Sequence, residues 1–228
     1  MNAARPPEAA TRRRYLAVLA ALFTVFWLGL AIHPWHRADW ALENALVVLA
    51  ALVLALTYRR WPLSRLSYTL VFVFLALHVI GAHYTYAEVP YDAWVTALTG
   101  RSLNAMLGWQ RNHFDRFVHF AYGLLLAYPV REVVVRATGL RGFWGYFLPM
   151  DLTMSSSASY ELIEWGAAMA FGGDLGIAYL GAQGDAWDAQ KDMVLAALGA
   201  GLATLATAAI RRGRARRDDR LREPPPRR

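Results

Sequence analysis

The chain contains about six long apolar runs, separated by segments that carry most of its charged residues. These runs restrict its fold more than any other feature. A helix that crosses the hydrocarbon layer of a membrane needs about 20 mostly apolar residues. The runs lie near residues 15–32, 41–57, 66–82, 114–128, 145–171 and 193–210. The pattern predicts an all-α, polytopic membrane helix bundle with about six transmembrane helices.

The remaining sequence suits this interpretation. The chain is 57% hydrophobic yet carries a formal net charge of +7, so its charges are concentrated outside the apolar runs. We expect a disordered basic N-terminal segment over 1–14, a single transmembrane domain over 15–210 and a basic disordered cytoplasmic tail over 211–228. Helical spacing and tryptophans between 92 and 109 predict an interfacial segment. With no cysteine, disulfides and thiol nucleophiles are excluded.

Arginines are concentrated in alternate connecting segments, and this bias predicts the orientation. The segments contain Arg12 to Arg14, then Arg59, Arg60 and Arg65, then Arg131, Arg136 and Arg141, then the run that starts at Arg211. Positive segments remain cytoplasmic, so both termini are predicted in the cytoplasm and the chain in the bacterial inner membrane. Charge beside a membrane helix is a topology signal or binds anionic headgroups, so we expect the lipid bilayer, not nucleic acid, as partner.

Polar residues fall at the predicted outer ends of several runs. Asp115 and His119 are four residues apart, with Arg116 between them, and therefore share one helical face. Those residues would also suit an ordinary helix entry, since an acid in the first turn complements the helix dipole. Glu161 and Glu164 lie inside the fifth run, where carboxylates are costly and usually functional.

The last run opens with a further set of acids. Asp185, Asp188 and Asp192 follow at helical spacing, although Asp185 alone fits a solvated loop or helix cap. These carboxylates and those of the earlier runs outnumber the nearby cations, so a divalent ion, protons or a cationic ligand must balance them. Histidine with carboxylates suits Zn or Mn, and carboxylates alone suit Mg or Ca.

These considerations give two sets of candidate site residues. The catalytic candidates are Asp115, Arg116, His119, Glu161 and Glu164. The candidate metal ligands are His83, Asp115, His119, Glu164, Asp188 and Asp192. The small residues of LAALGAGLATLATAA predict a packing surface, either within the bundle or between protomers.

Three segments carry a family resemblance: NHFDRFVHFAYGLLLAYPVRE, SSSASYELIEW and GAQGDAWDAQKDM. They resemble the signature segments of a bacterial inner-membrane family typified by YjdF, whose activity is not established, and the resemblance extends over about 83–201. More distantly, the chain is similar to VanZ-like proteins, which implies a site at the outer face near cell-wall lipids. The positions that match are Asp115, Arg116, His119, Tyr160, Glu161, Asp188 and Asp192.

Three functions remain open from the sequence. The first is a metal-dependent membrane hydrolase that acts on a lipid-linked envelope substrate. The second is a proton- or cation-coupled transporter in which Glu161, Glu164 and Asp151 form a route. The third is a lipid-binding or assembly protein without turnover. Substrate, metal and oligomeric state are not predicted.

Overall fold

A bundle of long helices forms the structure. The computed structural model describes residues 6–173 and 182–222, and the regular elements in those ranges are all helices. The long ones are α1 Pro6–Leu30, α2 Arg37–Thr57, α3 Arg65–His83, α6 Phe114–Thr138, α7 Trp144–Phe171 and α8 Asp188–Arg222; the short ones are α4 Tyr91–Thr99 and α5 Leu103–Leu107. The predicted all-α membrane bundle is confirmed.

Within those ranges, five helices are long and apolar enough to span a membrane. They are Ala10–Leu30, Arg37–Thr57, Arg65–His83, Phe114–Thr138 and Asp188–Asp218. Helix α7 has 28 residues, which is about 42 Å of helix, but its serines and carboxylates make it less apolar. Helix α6 continues through Pro129, ten residues past the predicted end near 128. A membrane helix tolerates proline because neighbouring groups satisfy the freed carbonyl.

The helices extend beyond the predicted boundaries at both ends of the chain. Helix α1 begins at Pro6 and α8 continues to Arg222, so the described parts of 1–14 and 211–228 are helical where disorder was expected. Proline suits a first helical turn, and alanine, arginine and leucine are strong helix formers. Residues 1–5 and 223–228 of these predicted disordered segments lie outside the described residues.

Helix α6 is the centre of the bundle and packs against α3, α7 and α8, whereas α1 and α2 pack against α3. The contact between α6 and α8 is close because glycines lie at it. A Cβ on Gly123 would lie 1.9 Å from the Ala196 carbonyl oxygen, and one on Gly199 would lie 2.2 Å from that of Phe120. The predicted small-residue surface therefore packs inside the bundle.

The two ends of the bundle differ in their polar contacts. At one end, Glu132 of α6 accepts hydrogen bonds from the backbone and hydroxyl of Ser64 before α3. At the other, His83 Nδ1 donates to the Leu30 carbonyl at 2.7 Å, which joins α3 to α1. Helix α6 begins and α7 ends at this second end, which we call the site end. Between the ends, exposed apolar side chains such as Leu49 form the surface that faces lipid.

Candidate functional site

Side chains from α6, α7 and α8 meet at the site end. Ligand atoms of Asp115, His119 and Asp192 lie within 4.8 Å of one another. His119 Nε2 is 3.6 Å from Asp115 Oδ1 and 3.4 Å from Glu161 Oε1. The i, i+4 spacing on α6 presents Asp115 and His119 on one face, and the close α6–α8 packing brings Asp192 to them.

The carboxylates of this cluster are buried without the hydrogen bonds that burial normally requires. Asp192 is only 2% exposed, and one of its carboxylate oxygens has no partner. The Glu161 oxygen that faces His119 likewise accepts no hydrogen bond, and that side chain is 10% exposed. A buried acceptor without a partner costs about 1–3 kcal/mol, and more when charged, so both oxygens are suited to a ligand.

An open cavity of about 550 Å³ adjoins the cluster. Asp115, Glu161 and Asp192 line it, and so does Glu164, whose carboxyl lies beside that of Glu161 on α7. A molecule in this cavity would therefore lie against the side chains that carry the unpartnered oxygens.

A network of ion pairs adjoins the cluster on the side of α8. Arg111 donates from Nη1 and Nη2 to the two oxygens of Asp188, at 2.7 and 3.1 Å. Arg116 Nη2 donates to Asp188 at 2.8 Å and to Asp185 at 2.5 Å, and Lys191 also pairs with Asp185. This network holds the start of α8 against the start of α6.

Two groups outside the spanning helices, one in the network and one beside it, have shifted pKa values. The hydrogen bond from Lys191 holds the pKa of Asp185 well below its usual range, and the Trp187 amide and Arg116 act in the same direction. Asp185 therefore stays charged at neutral pH, and its contribution to stability is lost only in strong acid. Burial lowers the pKa of His113, and Arg116 and Arg111 lower it further, so this ring is neutral where it stacks on Trp109.

The ion pairs leave the carboxyl groups of the cluster without a cation. The two aspartates of the network are bound by three cations, whereas no arginine or lysine of the described residues forms an ion pair with the cluster or with Glu164. The carboxylates left without a cation are Asp115, Glu161, Glu164 and Asp192. The excess of acids over cations predicted from the sequence therefore includes these four side chains.

A second buried polar group lies across the bundle, and sequence reasoning missed its acids. Asp39 and Glu43 of α2 are 1% and 3% exposed. The Tyr160 hydroxyl donates to Glu43 at 3.1 Å, and His78 Nε2 donates to the Glu43 carbonyl at 3.0 Å. His78 Nδ1 must then accept from Tyr86, which leaves neither ring nitrogen for a metal. Carboxylates four residues apart at the start of an apolar run were the available signal.

The structure brings some sequence candidates together and separates others. Asp115, His119, Asp192 and Glu161 meet, with Glu164 beside them. Asp188 is bound by both arginines, and Arg116 is engaged by the aspartates of the loop and α8. His83 is hydrogen bonded to α1 and packs edge-to-face against Tyr84, outside the cluster.

Long apolar helices around a buried acidic cluster define a multi-pass membrane protein with a polar site near one end. More particularly, the chain belongs to the family described as "Predicted membrane protein (DUF2238)", which it matches over residues 15–213. The resemblance inferred from the three sequence segments is thus confirmed.

A relative supports this assignment. The chain is 37% identical over 185 residues to the inner membrane protein YjdF of Escherichia coli (strain K12). The aligned region covers 81% of this chain and 83% of that protein. The predicted multi-pass location in the inner membrane is confirmed with it. No solved structure matches the chain. The more distant VanZ-like resemblance is not supported by these matches.

Proposed function

We propose that the protein is a metal-dependent membrane hydrolase whose site acts on a lipid-linked envelope substrate. One observation carries the proposal: Asp115, His119 and Asp192 converge within 4.8 Å, and Asp192 keeps a buried oxygen without a partner. Three protein ligands with an open fourth position are typical of catalytic zinc centres. Manganese would also suit this mixture of imidazole and carboxylate, whereas magnesium prefers oxygen ligands.

The separations support a small divalent ion. Two ligands about 2.1 Å from a tetrahedral ion lie about 3.4 Å apart. His119 Nε2 is 3.6 Å from Asp115 Oδ1, and the ligand atoms of Asp115, His119 and Asp192 all lie within 4.8 Å of one another, so small side-chain rotations would complete the coordination. The ion would also supply positive charge to carboxyl groups that no arginine or lysine of the described residues pairs with.

Glu161 is the acid of the cluster that is not one of the three proposed ligands, and it is suited to act as a general base. A bound divalent cation supplies a Lewis acid and lowers the pKa of water near it. Glu161 faces His119 and has a free oxygen, so it is suited to take the proton from that water. The oxygen of that water would bond to the reacting atom of the ester as the bond to the leaving oxygen breaks, and the leaving oxygen would receive the proton from Glu161.

The distribution of acids favours a site over a transport route. Asp39, Glu43 and the cluster all lie in the half of the bundle nearest the site end. Asp151, the candidate for continuing a route, is exposed on α7 and lines neither cavity that contains Asp115. Proton relays in pumps and transporters are chains of Asp, Glu and His, and Asp151 does not continue such a chain from the cluster.

Metal content is the first prediction. We expect purified wild-type protein, dialysed without chelator, to carry near-stoichiometric zinc or manganese by elemental analysis. Asp192→Asn and His119→Gln should lose it, because each removes a ligand from a three-ligand centre. Asp151→Asn, an exposed change on α7, is the matched control and should keep it. Wild-type protein that binds neither metal on titration would refute the metal centre.

The second prediction separates the base from the ligands. Glu161→Gln should retain the metal but form hydrolysis products at least about 100-fold more slowly, the usual loss when a general base is removed. The assay is mass spectrometry of products formed in vesicles of bacterial polar lipid extract. Unchanged product formation, or loss of the metal, would show that Glu161 is not the base.

A further inference from the structure

A second cavity, of about 280 Å³, lies beside the acidic one, between α2, α3, α6 and α7. Its wall is largely apolar and aromatic, with Leu46, Phe74, Val118 and Ile163 among its residues. Asp115 lines both cavities, and His119 also faces this one. The apolar cavity therefore ends at the cluster assigned to the metal.

The polar groups of this wall are largely engaged with each other. The Tyr122 hydroxyl is bonded to Ser156 at 2.6 Å, and Tyr86 is bonded to His78. The Tyr160 hydroxyl donates to Glu43. Away from Asp115 and His119, a soluble polar ligand would find few partners here besides the unpartnered hydroxyl of Ser157, whereas a hydrocarbon chain would need none.

The cavity has an opening that faces the bilayer. Helix α2 packs extensively only on α3 and α7 packs on α6 and α8, so among the described helices α2 and α7 border a gap that the Tyr160–Glu43 hydrogen bond crosses. Leu46 lies on one border of the gap and Ile163, which is 61% exposed, on the other. Helix α2 is long and apolar enough to cross the hydrocarbon layer, and α7 packs against α6 and α8, which are too. Lipid chains are therefore what surrounds this opening.

We propose that this cavity binds the hydrocarbon chain of a membrane lipid, which enters sideways between α2 and α7 and brings its polar end to Asp115 and His119. The inference rests on the proposed function only in taking that lipid to be the substrate. The two cavities then bind different parts of the lipid: the apolar cavity holds the hydrocarbon chain, and the acidic cavity holds the headgroup. The substrate class is then an amphiphile drawn from the bilayer.

Blocking the opening tests this inference. Leu46→Trp and Ile163→Trp should each reduce the lipid that stays bound in mild detergent, measured by native mass spectrometry, by about tenfold or more, because a filled cavity cannot accept the chain. Leu49→Trp is the matched control on α2: that residue is 57% exposed, lines neither cavity that contains Asp115, and should leave retention unchanged. The two variants lie on different helices, so the test still decides if one of them fails to fold.

A photoreactive fatty acid with a diazirine near its chain end provides the second measurement. It should label peptides that contain Phe74 or Val118 in wild type and Leu49→Trp, with label lost in both opening variants.

Wild-type protein without retained lipid, or equal retention in Leu46→Trp and Leu49→Trp, would overturn the inference. Metal content measured on the same samples distinguishes the two proposals: metal without bound lipid refutes only the lipid cavity, and bound lipid without metal refutes only the hydrolase.

Discussion

Asp188→Ala is expected to lower the free energy of unfolding by about 3 kcal/mol, the lower end of the cost of breaking a buried ion pair. Asp188 is 6% exposed and binds both Arg111 and Arg116, whose side chains are 15% and 14% exposed. Its removal leaves two largely buried guanidinium groups with Asp185 as their remaining aspartate. The cost stays near the lower end because Asp185 still lies 2.5 Å from Arg116.

The measurement is thermal unfolding in detergent. About 3 kcal/mol should lower the Tm by about 6–12 °C for a chain of this size. Asp151→Ala removes an exposed aspartate of α7 and serves as the control, with a change within about 0.5 kcal/mol. If Asp188→Ala and Asp151→Ala unfold at the same temperature, the ion-pair network does not hold α6 and α8 together.

The partners of Asp188 illustrate what the sequence could not supply. The sequence predicted its position at the start of an apolar helix, and helical spacing grouped it with Asp185 and Asp192. The structure divides that group, because the first two bind cations and Asp192 faces His119. Which face of a helix meets which neighbour depends on tertiary packing. Arg111, 77 residues away, could not be paired with Asp188 from spacing alone.

Helix existence was easier to predict than helix ends. Apolar runs had to cross the membrane, so the all-α bundle followed from length and hydropathy. Hydropathy falls at Arg12 and after Ile210, yet the described helices continue past both, because arginine and alanine sustain a helix in water as well. Hydropathy reports where lipid ends, whereas hydrogen bonding determines where the helix ends.

The convergence of the cluster was only partly predictable. Asp115 and His119 lie on the same helix, so their shared face followed from the 3.6-residue period. The acids of α2 were overlooked because Asp39 and Glu43 resemble an ordinary charged helix start. Only the packed structure shows that they are buried.

Gly199→Ala is expected to separate α6 from α8 and to disrupt both stability and the site. The added Cβ would lie 2.2 Å from the Phe120 carbonyl oxygen and 2.7 Å from the Leu124 nitrogen. Both are backbone atoms, so no side-chain rotation relieves the clash and the helices must move apart. We expect a loss of about 3 kcal/mol, the upper end of the usual cost of overpacking.

The same movement would withdraw Asp192, two turns before Gly199 on α8, from Asp115 and His119 on α6. Gly199→Ala should therefore lower the Tm and also weaken binding of added zinc, measured by titration. Gly201→Ala is the matched control: its Cβ would meet only the flexible end of Met150 at 3.9 Å, and alanine favours the helix by up to about 1 kcal/mol. A Gly199→Ala protein as stable as Gly201→Ala would contradict the close helix contact. A destabilised one that binds zinc normally would show that the metal ligands do not depend on it.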